Sequence, residues 1–136
     1  RIRFEKEVSI SGYGEANIMG MEACKAAYSE GYEWLLELRE YLTGNVDFVR
    51  EFLLRNVPEI KLVEPEGTYL LWLDFRGLGL SDDELDDLLI NRAKLLLDPG
   101  RKFGDAGRGF QRLNIGCPRQ TLRTAMQRLA EAVKAR

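Results

Sequence analysis

The sequence contains no histidine. This absence excludes Ser–His–Asp and Cys–His nucleophile pairs, HExxH zinc sites and every histidine general base. Cysteine is scarce as well, because Cys24 and Cys117 are the only two and lie in unrelated contexts. Two free thiols in a reducing compartment fit this pattern better than a disulfide. Any proton transfer must therefore use lysine, tyrosine or a carboxylate, or take place elsewhere in a larger protein.

Long apolar runs and a strong charge of one sign are also lacking. No run approaches the roughly 20 apolar residues that span a bilayer, and the first ten residues lack the apolar segment of a signal peptide. The 20 basic and 22 acidic residues give a net charge of −2, which provides neither a polybasic membrane patch nor a nucleic-acid footprint. We expect a cytoplasmic protein without membrane or nucleic-acid partners. Because the first residue is Arg1 rather than Met, we also expect the sequence to begin inside a longer protein.

What is present is the composition of one globular domain, with 45% apolar and 31% charged residues over 136 positions. The spacing of apolar residues predicts a helical first half and a mixed second half. Gly31 predicts a break in the first half, Pro58 ends it, and Ser81 with Glu84 forms a capping box at the start of a later helix. The predicted helices cover 1–9, 17–30, 33–56, 81–93 and 118–133, and the predicted strands cover 60–63, 69–75, 95–97 and 110–115.

This order of elements predicts an α+β fold, in which a small mixed or antiparallel sheet is covered by helices on one side. The segment YLLWLDF at 69–75 is typical of a strand buried on both faces. Within it, Trp72 is expected in the core and Asp74 as a turn acceptor. The helix over 33–56, roughly 36 Å long at 1.5 Å per residue, is long enough to connect two domains. A core helix kinked near Gly44 is the simpler interpretation.

The glycine-rich segment DPGRKFGDAGRGFQRLNIGCPR at 98–119 does not predict a phosphate site. Its glycines fit neither the P-loop spacing nor G-x-G-x-x-G, and they precede a strand rather than a helix. A turn-rich connector between two strands explains them better. The acidic run at 82–87 lacks the glycine and terminal glutamate of a calcium loop, so the sequence indicates no metal site.

Arg112 is the unexpected residue of the last strand. Alternation places Phe110, Arg112 and Asn114 on one face of the strand, and Leu113 and Ile115 in the core. The arginine is then either an edge-strand side chain that reaches solvent, or a fixed guanidinium directed at a carboxylate. Spacing alone does not separate these two interpretations.

Two segments in order resemble a known family. PEGTYLLWLDF (65–75), followed by LLLDPGRKFGDAGRGFQRLNIGCPR (95–119), resembles the C-terminal small domain of class I/II aminotransferase-fold enzymes, the pyridoxal-phosphate (PLP) proteins of fold type I. The branch to which it is most similar contains the cystathionine β-lyases and cysteine C–S lyases. Upstream, NIMGMEACKAAYSEGYEWLLELREYLTGN (17–45) is similar to that branch's passage from the large domain into the long interdomain helix. The order of the segments makes the resemblance specific.

The resemblance implies a PLP-dependent C–S β-lyase that converts cystathionine or cysteine S-conjugates to a thiol, pyruvate and ammonia. It also implies an amino-acid substrate and a homodimer when full length. The first alternative is an aminotransferase on the same fold. The second, from a different class, is a stand-alone and non-catalytic α+β binding module.

The resemblance also assigns roles to particular residues. Arg112 would bind the α-carboxylate of the substrate, while Phe103, Gly104 and Tyr69 would line the cleft. No lysine of this sequence matches the motif of the Schiff-base lysine, which is expected upstream with the rest of the PLP site. We therefore expect this chain alone to be inactive and without bound PLP.

The same resemblance divides the chain. Residues 1–30 would be a remnant of the large PLP domain with the start of the connecting helix, and residues 31–136 would be the C-terminal small domain. In the remnant, the apolar faces that include Ile18, Met21 and Tyr28 would lack the parts of the large domain that normally bury them.

Overall fold

A computed structural model describes residues 1–12 and 17–136. The chain divides into two units, Arg1–Arg39 and Glu40–Arg136. The α-helices are α1 (Ile2–Ser11), α2 (Ile18–Glu30), α3 (Tyr32–Asn56), α4 (Asp82–Asp86) and α5 (Arg119–Lys134). A π-helical segment (Asp87–Arg92) continues α4, and the strands are β1 (Lys61–Val63), β2 (Leu70–Asp74), β3 (Asp98–Pro99) and β4 (Phe110–Asn114). No helix in the described part of the chain has the length and apolarity of a membrane span.

The first unit contains α1, α2 and the start of α3. Asn17 caps α2, because its side-chain oxygen accepts a hydrogen bond from the backbone N–H of Gly20 at 2.7 Å. Gly31 ends α2 and donates its N–H to the carbonyl of Ala27 at 3.0 Å, which confirms the predicted break. Neither α1 nor α2 contains a buried residue. The large apolar side chains that these two helices expose are Ile2, Phe4, Ile10, Ile18, Met19, Met21 and Tyr28.

The second unit is built on a four-stranded sheet of order β1-β2-β4-β3, in which every pair is antiparallel. With the long α3 and the helices that follow, it confirms the predicted α+β fold with a small sheet. Strand β4 lies between β2 and β3, so the edge-strand interpretation of Arg112 is wrong. In the register of the sheet, Arg112 stands opposite Trp72 on one side and Asp98 on the other.

The core lies on one face of this sheet. Leu71, Leu73, Leu113 and Ile115 are buried, as the alternation predicts for β4. The side chains between them in β2 are only half-buried, so the prediction of a strand buried on both faces is wrong. The helices supply apolar cover to one face, through Val49, Leu53, Leu85, Leu88, Leu89, Leu122, Met126 and Leu129.

The strand predicted over 95–97 is also misplaced. The π-helical segment ends with the backbone N–H of Ala93, which donates to the carbonyl of Leu88 at 2.9 Å. Leu96 is 86% exposed, and the strand is the two-residue β3 that follows. Residues 94–97 form neither helix nor strand, and Lys94 has a left-handed backbone conformation with φ 56°.

Asn45 connects α3 to the ends of β4 and α5. It is completely buried, and its Nδ2 donates to the carbonyls of Ile115 at 2.9 Å and Cys117 at 3.3 Å. Its Oδ1 accepts from Nε of Arg119 at 2.5 Å. A Cβ on the neighbouring Gly44 would lie 2.9 Å from Nη2 of the same arginine. The glycine within the continuous α3 thus makes room for Arg119, which has a structural role.

We expect Asn45→Ala to lower the free energy of unfolding by about 1–3 kcal/mol, because it leaves buried hydrogen-bonding groups without partners. Urea unfolding followed by circular dichroism measures this loss. The matched control is Asn91→Ala, whose side chain is exposed and donates only to Asp87. Equal stabilities of the two variants would contradict the role of Asn45.

Candidate functional site

Arg112 is held from several sides on the open face of the sheet. Its Nη2 donates to Oδ2 of Asp98 at 2.7 Å, and its guanidinium carbon lies 4.9 Å from the centroid of the Phe103 ring. The Trp72 ring contacts Phe103 edge-on, with 5.6 Å between centroids, and Nζ of Lys102 lies 3.5 Å from Asp98. We call these five residues, Trp72, Asp98, Lys102, Phe103 and Arg112, the Arg112 cluster.

The connector between β3 and β4 brings Phe103 to the arginine. Its two short 3₁₀ turns, Gly100–Phe103 and Asp105–Gly107, reverse the chain. The backbones of Gly100 and Gly107 pack so closely that a Cβ on Gly107 would lie 2.2 Å from the Gly100 oxygen. Gly104 has φ 121° and ψ 170°, a conformation that only glycine adopts readily. The glycines therefore build a tight turn, in agreement with the predicted connector.

Two arginines of the connector attach it to α4. Arg101 pairs with Asp86 through Nη2 at 2.6 Å, and Arg108 pairs with Asp82 at 2.7 Å. Asp82 also accepts the backbone N–H of Gly109 at 3.2 Å. The acidic start of this helix thus binds connector arginines. Among residues 1–12 and 17–136, no cluster of side chains could hold a metal ion.

An aromatic row extends from the cluster along the same face. Trp72, interpreted from the sequence as a core residue, is half-buried there and stacks on Phe110 with 5.6 Å between centroids. The guanidinium of Arg76 lies 4.6 Å from the Phe110 centroid. Asp74 accepts the backbone N–H of Arg76 at 2.9 Å, so it is a turn acceptor.

The structure brings together only part of the predicted site. Phe103 touches Arg112, and Gly104 directly follows Phe103 in the connector. Tyr69 lies elsewhere, because its carbonyl accepts the N–H of Ile115 and its ring lies beside Gly116, past the end of β4. Its place in the cleft therefore stays a prediction.

The electrostatics of the cluster favour an anion. The Arg112 guanidinium, through its hydrogen bond, holds the pKa of the Asp98 carboxyl below its usual range. Asp98 is thus ionised at neutral pH and faces two cations, which leaves one positive charge in excess. The side chain of Arg112 is 32% exposed, so it can still meet a ligand from solvent. Such an arrangement can bind a carboxylate.

The lysines of this chain do not form a cofactor pocket. A lysine that bonds covalently to PLP needs a sheltered position and a lowered pKa. All six lysines are exposed: Lys6, Lys25, Lys61, Lys94, Lys102 and Lys134. The residues present therefore do not fit PLP by themselves. Cys24 and Cys117 are free thiols, as the sequence predicts.

The chain is similar to part of several PLP-dependent enzymes. Cystathionine β-lyase PatB of Bacillus subtilis is 39% identical over 98% of this chain and 34% of its own length. Protein MalY of Escherichia coli is 38% identical over 91% of the chain and 32% of its own length. The crystal structure of cystalysin from Treponema denticola, which contains a pyridoxal 5′-phosphate cofactor, superposes with a TM-score of 0.84 and 35% identity over 88% of the chain. No protein-family model matches. The chain spans about a third of the length of these relatives.

We expect the Asp98–Arg112 ion pair to make the free energy of unfolding depend on pH in the acid range. Because the pKa of Asp98 is lower in the folded chain, its contribution is complete above the ordinary value near 3.8 and is lost as the pH falls below that value. Urea unfolding of the wild type and of Asp98→Asn at pH 7, 5, 4 and 3 measures the contribution of this ion pair to the free energy of unfolding. The difference between the two proteins should shrink toward pH 3. Asp105→Asn is the matched control, because Asp105 lies in the same connector and does not contact Arg112. A difference that stays constant over this range would exclude the proposed ion pair.

Proposed function

Because this chain is a homologue of PLP-dependent lyases and aminotransferases and has the fold of their small domain, we propose that it is the substrate-anchoring part of a C–S β-lyase. The full-length protein would cleave cystathionine or cysteine S-conjugates to a thiol, pyruvate and ammonia. The observation that carries this proposal is the Arg112 guanidinium. It is fixed on the open face of the sheet and surrounded by an excess of positive charge.

Arg112 would bind the α-carboxylate of the amino-acid substrate. A guanidinium presents parallel N–H donors that match the two oxygens of a carboxylate. Asp98 and Phe103 limit its movement, so the carboxylate would be held in one orientation. A substrate held in this way presents its Cα–H bond at a defined position to the groups that react with it. Phe103 and Gly104 would form the adjacent wall of the cleft.

The cofactor belongs to another part of the proposed enzyme. PLP withdraws electrons from the substrate's Cα when it is bound. The exposed lysines of this chain cannot shelter it, so a lysine upstream would hold it. Residues 1–30 would then belong to the large domain and the connecting helix, with residues 31–136 as the small domain. The exposed apolar side chains of residues 1–30, among them Tyr28 at 91%, would pack against the rest of the large domain. A homodimer and a cytoplasmic location complete the proposal.

The lyase is favoured over an aminotransferase because PatB, a cystathionine β-lyase, aligns with 98% of the chain at 39% identity. Both kinds of enzyme bind an amino-acid carboxylate, so Arg112 does not separate them. Two assays do: release of pyruvate from cystathionine without a keto acid, and transfer of the amino group to an added keto acid. The first activity alone identifies the lyase, and the second alone identifies the aminotransferase.

We expect Arg112→Lys in the full-length protein to raise KM for cystathionine at least about tenfold, because it keeps the charge and removes the two-pronged donor. PLP absorbance should be unchanged, since Arg112 would hold substrate rather than cofactor. The matched control is Arg92→Lys, an exposed arginine paired with Asp87, which should keep the wild-type KM. An unchanged KM in Arg112→Lys would remove the assignment.

We also expect residues 1–136, mixed with PLP and cystathionine, to release no more pyruvate than PLP alone. The physical reason is that no lysine of the chain is sheltered from water. The measurement is a coupled assay for pyruvate, with the full-length protein as the positive control. Pyruvate release above the level of free PLP would show that this chain holds its own catalytic lysine.

A further inference from the structure

The guanidinium of Arg112 is not equally available on all sides. It has five N–H donors arranged on two edges that can each take a carboxylate: the side edge (Nε and Nη2) and the end edge (Nη1 and Nη2). Nε is buried and has no hydrogen-bond partner within the described part of the chain. A ligand from solvent therefore cannot reach the side edge. The end edge remains, although Asp98 already takes one hydrogen of Nη2.

We propose that Asp98 is a positioning residue, which holds Arg112 so that its end edge receives the carboxylate of the ligand. This inference rests on the proposed function of Arg112. Nη2 carries two hydrogens, and one oxygen of Asp98 uses only one of them. In this proposal Asp98 accepts the hydrogen of Nη2 that lies on the side edge, so that the second hydrogen of Nη2 and a hydrogen of Nη1 would remain for the ligand. Asp98 would thus direct the arginine without blocking it.

The backbone gives Asp98 this position. Asp98 is the residue of β3 that stands directly opposite Arg112 in the antiparallel register, so the distance between their Cα atoms is set by the sheet. On the other side, β4 pairs Arg112 with Trp72, whose ring supports Phe103. The aromatic ring of Phe103 lies over the guanidinium. Rotation of the guanidinium is therefore restricted by a hydrogen bond in its plane and by a ring above it.

The charges of the cluster are consistent with this role. An aspartate beside a ligand-binding arginine would weaken attraction for a carboxylate if it neutralised the only cation. Lys102, with Nζ at 3.5 Å from the other oxygen of Asp98, compensates for that negative charge. Asp98 can therefore orient Arg112 while the cluster as a whole stays positive.

The orientation can be measured without any activity, by nitrogen NMR of the 136-residue chain labelled with ¹⁵N-arginine. The signals of Arg112 are assigned by their loss in Arg112→Lys. We expect separate Nη1 and Nη2 signals in the wild type, because the hydrogen bond to Asp98 slows rotation of the guanidinium. They should merge in Asp98→Ala and stay separate in Asp98→Asn, whose side-chain oxygen still accepts. Asp105→Asn is the control and should leave the Arg112 signals unchanged. Separate signals in Asp98→Ala would overturn the proposal.

Steady-state kinetics of the full-length protein test whether this orientation of Arg112 matters for substrate binding. We expect Asp98→Ala to raise KM for cystathionine about tenfold, a loss typical of one misplaced charge-assisted hydrogen bond. Asp98→Asn should restore KM to within about threefold of the wild type, because it preserves the acceptor oxygen. A wild-type KM in Asp98→Ala would overturn the proposal, and so would equal losses in the two variants, since charge rather than orientation would then matter.

The two proposals fail in different ways. If Arg112→Lys keeps the wild-type KM, the carboxylate site itself is wrong. If Arg112→Lys raises KM and Asp98→Ala does not, the carboxylate site stands and only the positioning role of Asp98 is overturned.

Discussion

The pleat of β4 is the constraint on which the second unit depends. Successive side chains of a strand point to opposite faces, so a strand with a core on one face must present its other residues on the second face. Gln111 and Leu113 are buried on the core face of the sheet, and Arg112 between them is therefore held on the open face. A slip of one residue in the register would move the arginine into the core and the leucine out of it. The core thus fixes the backbone position of Arg112 and the face of the sheet from which its side chain extends.

The ion pairs around the connector have a geometric role. Exposed ion pairs contribute little to stability, typically about 0–1 kcal/mol. Arg101 and Arg108 nevertheless attach the connector to α4 at two points, and between them Phe103 is brought to Arg112. The close packing of Gly100 on Gly107 shortens the turn further. The glycines of this segment thus serve to place an aromatic ring, and the arginines restrict where that ring can lie.

The parts of the fold that could be predicted from the sequence are those governed by local periodicity. The spacing of leucines in the helices, the capping box at Ser81 and the alternation in β4 all depend on neighbours in the chain, and the structure agrees with them. β3 was placed wrongly because the apolar residues at 95–97 suggest a strand, whereas in the structure residues 94–97 are irregular and strand pairing begins at Asp98. Asp98 was missed for the same reason. Its pairing with Arg112 becomes visible only once the register of β3 is known.

The face occupied by Trp72 could not be predicted because it depends on tertiary packing. An apolar strand is compatible with burial on both faces, yet here the helices cover one face, and aromatic and charged side chains share the other. This distribution explains what the second unit can contribute chemically. Its open face combines cations with aromatic rings, which suits recognition of an amino acid. It has no histidine, and its lysines are exposed. The proposed function accordingly assigns the binding and orientation of the substrate to this unit, and proton transfer to a lysine upstream.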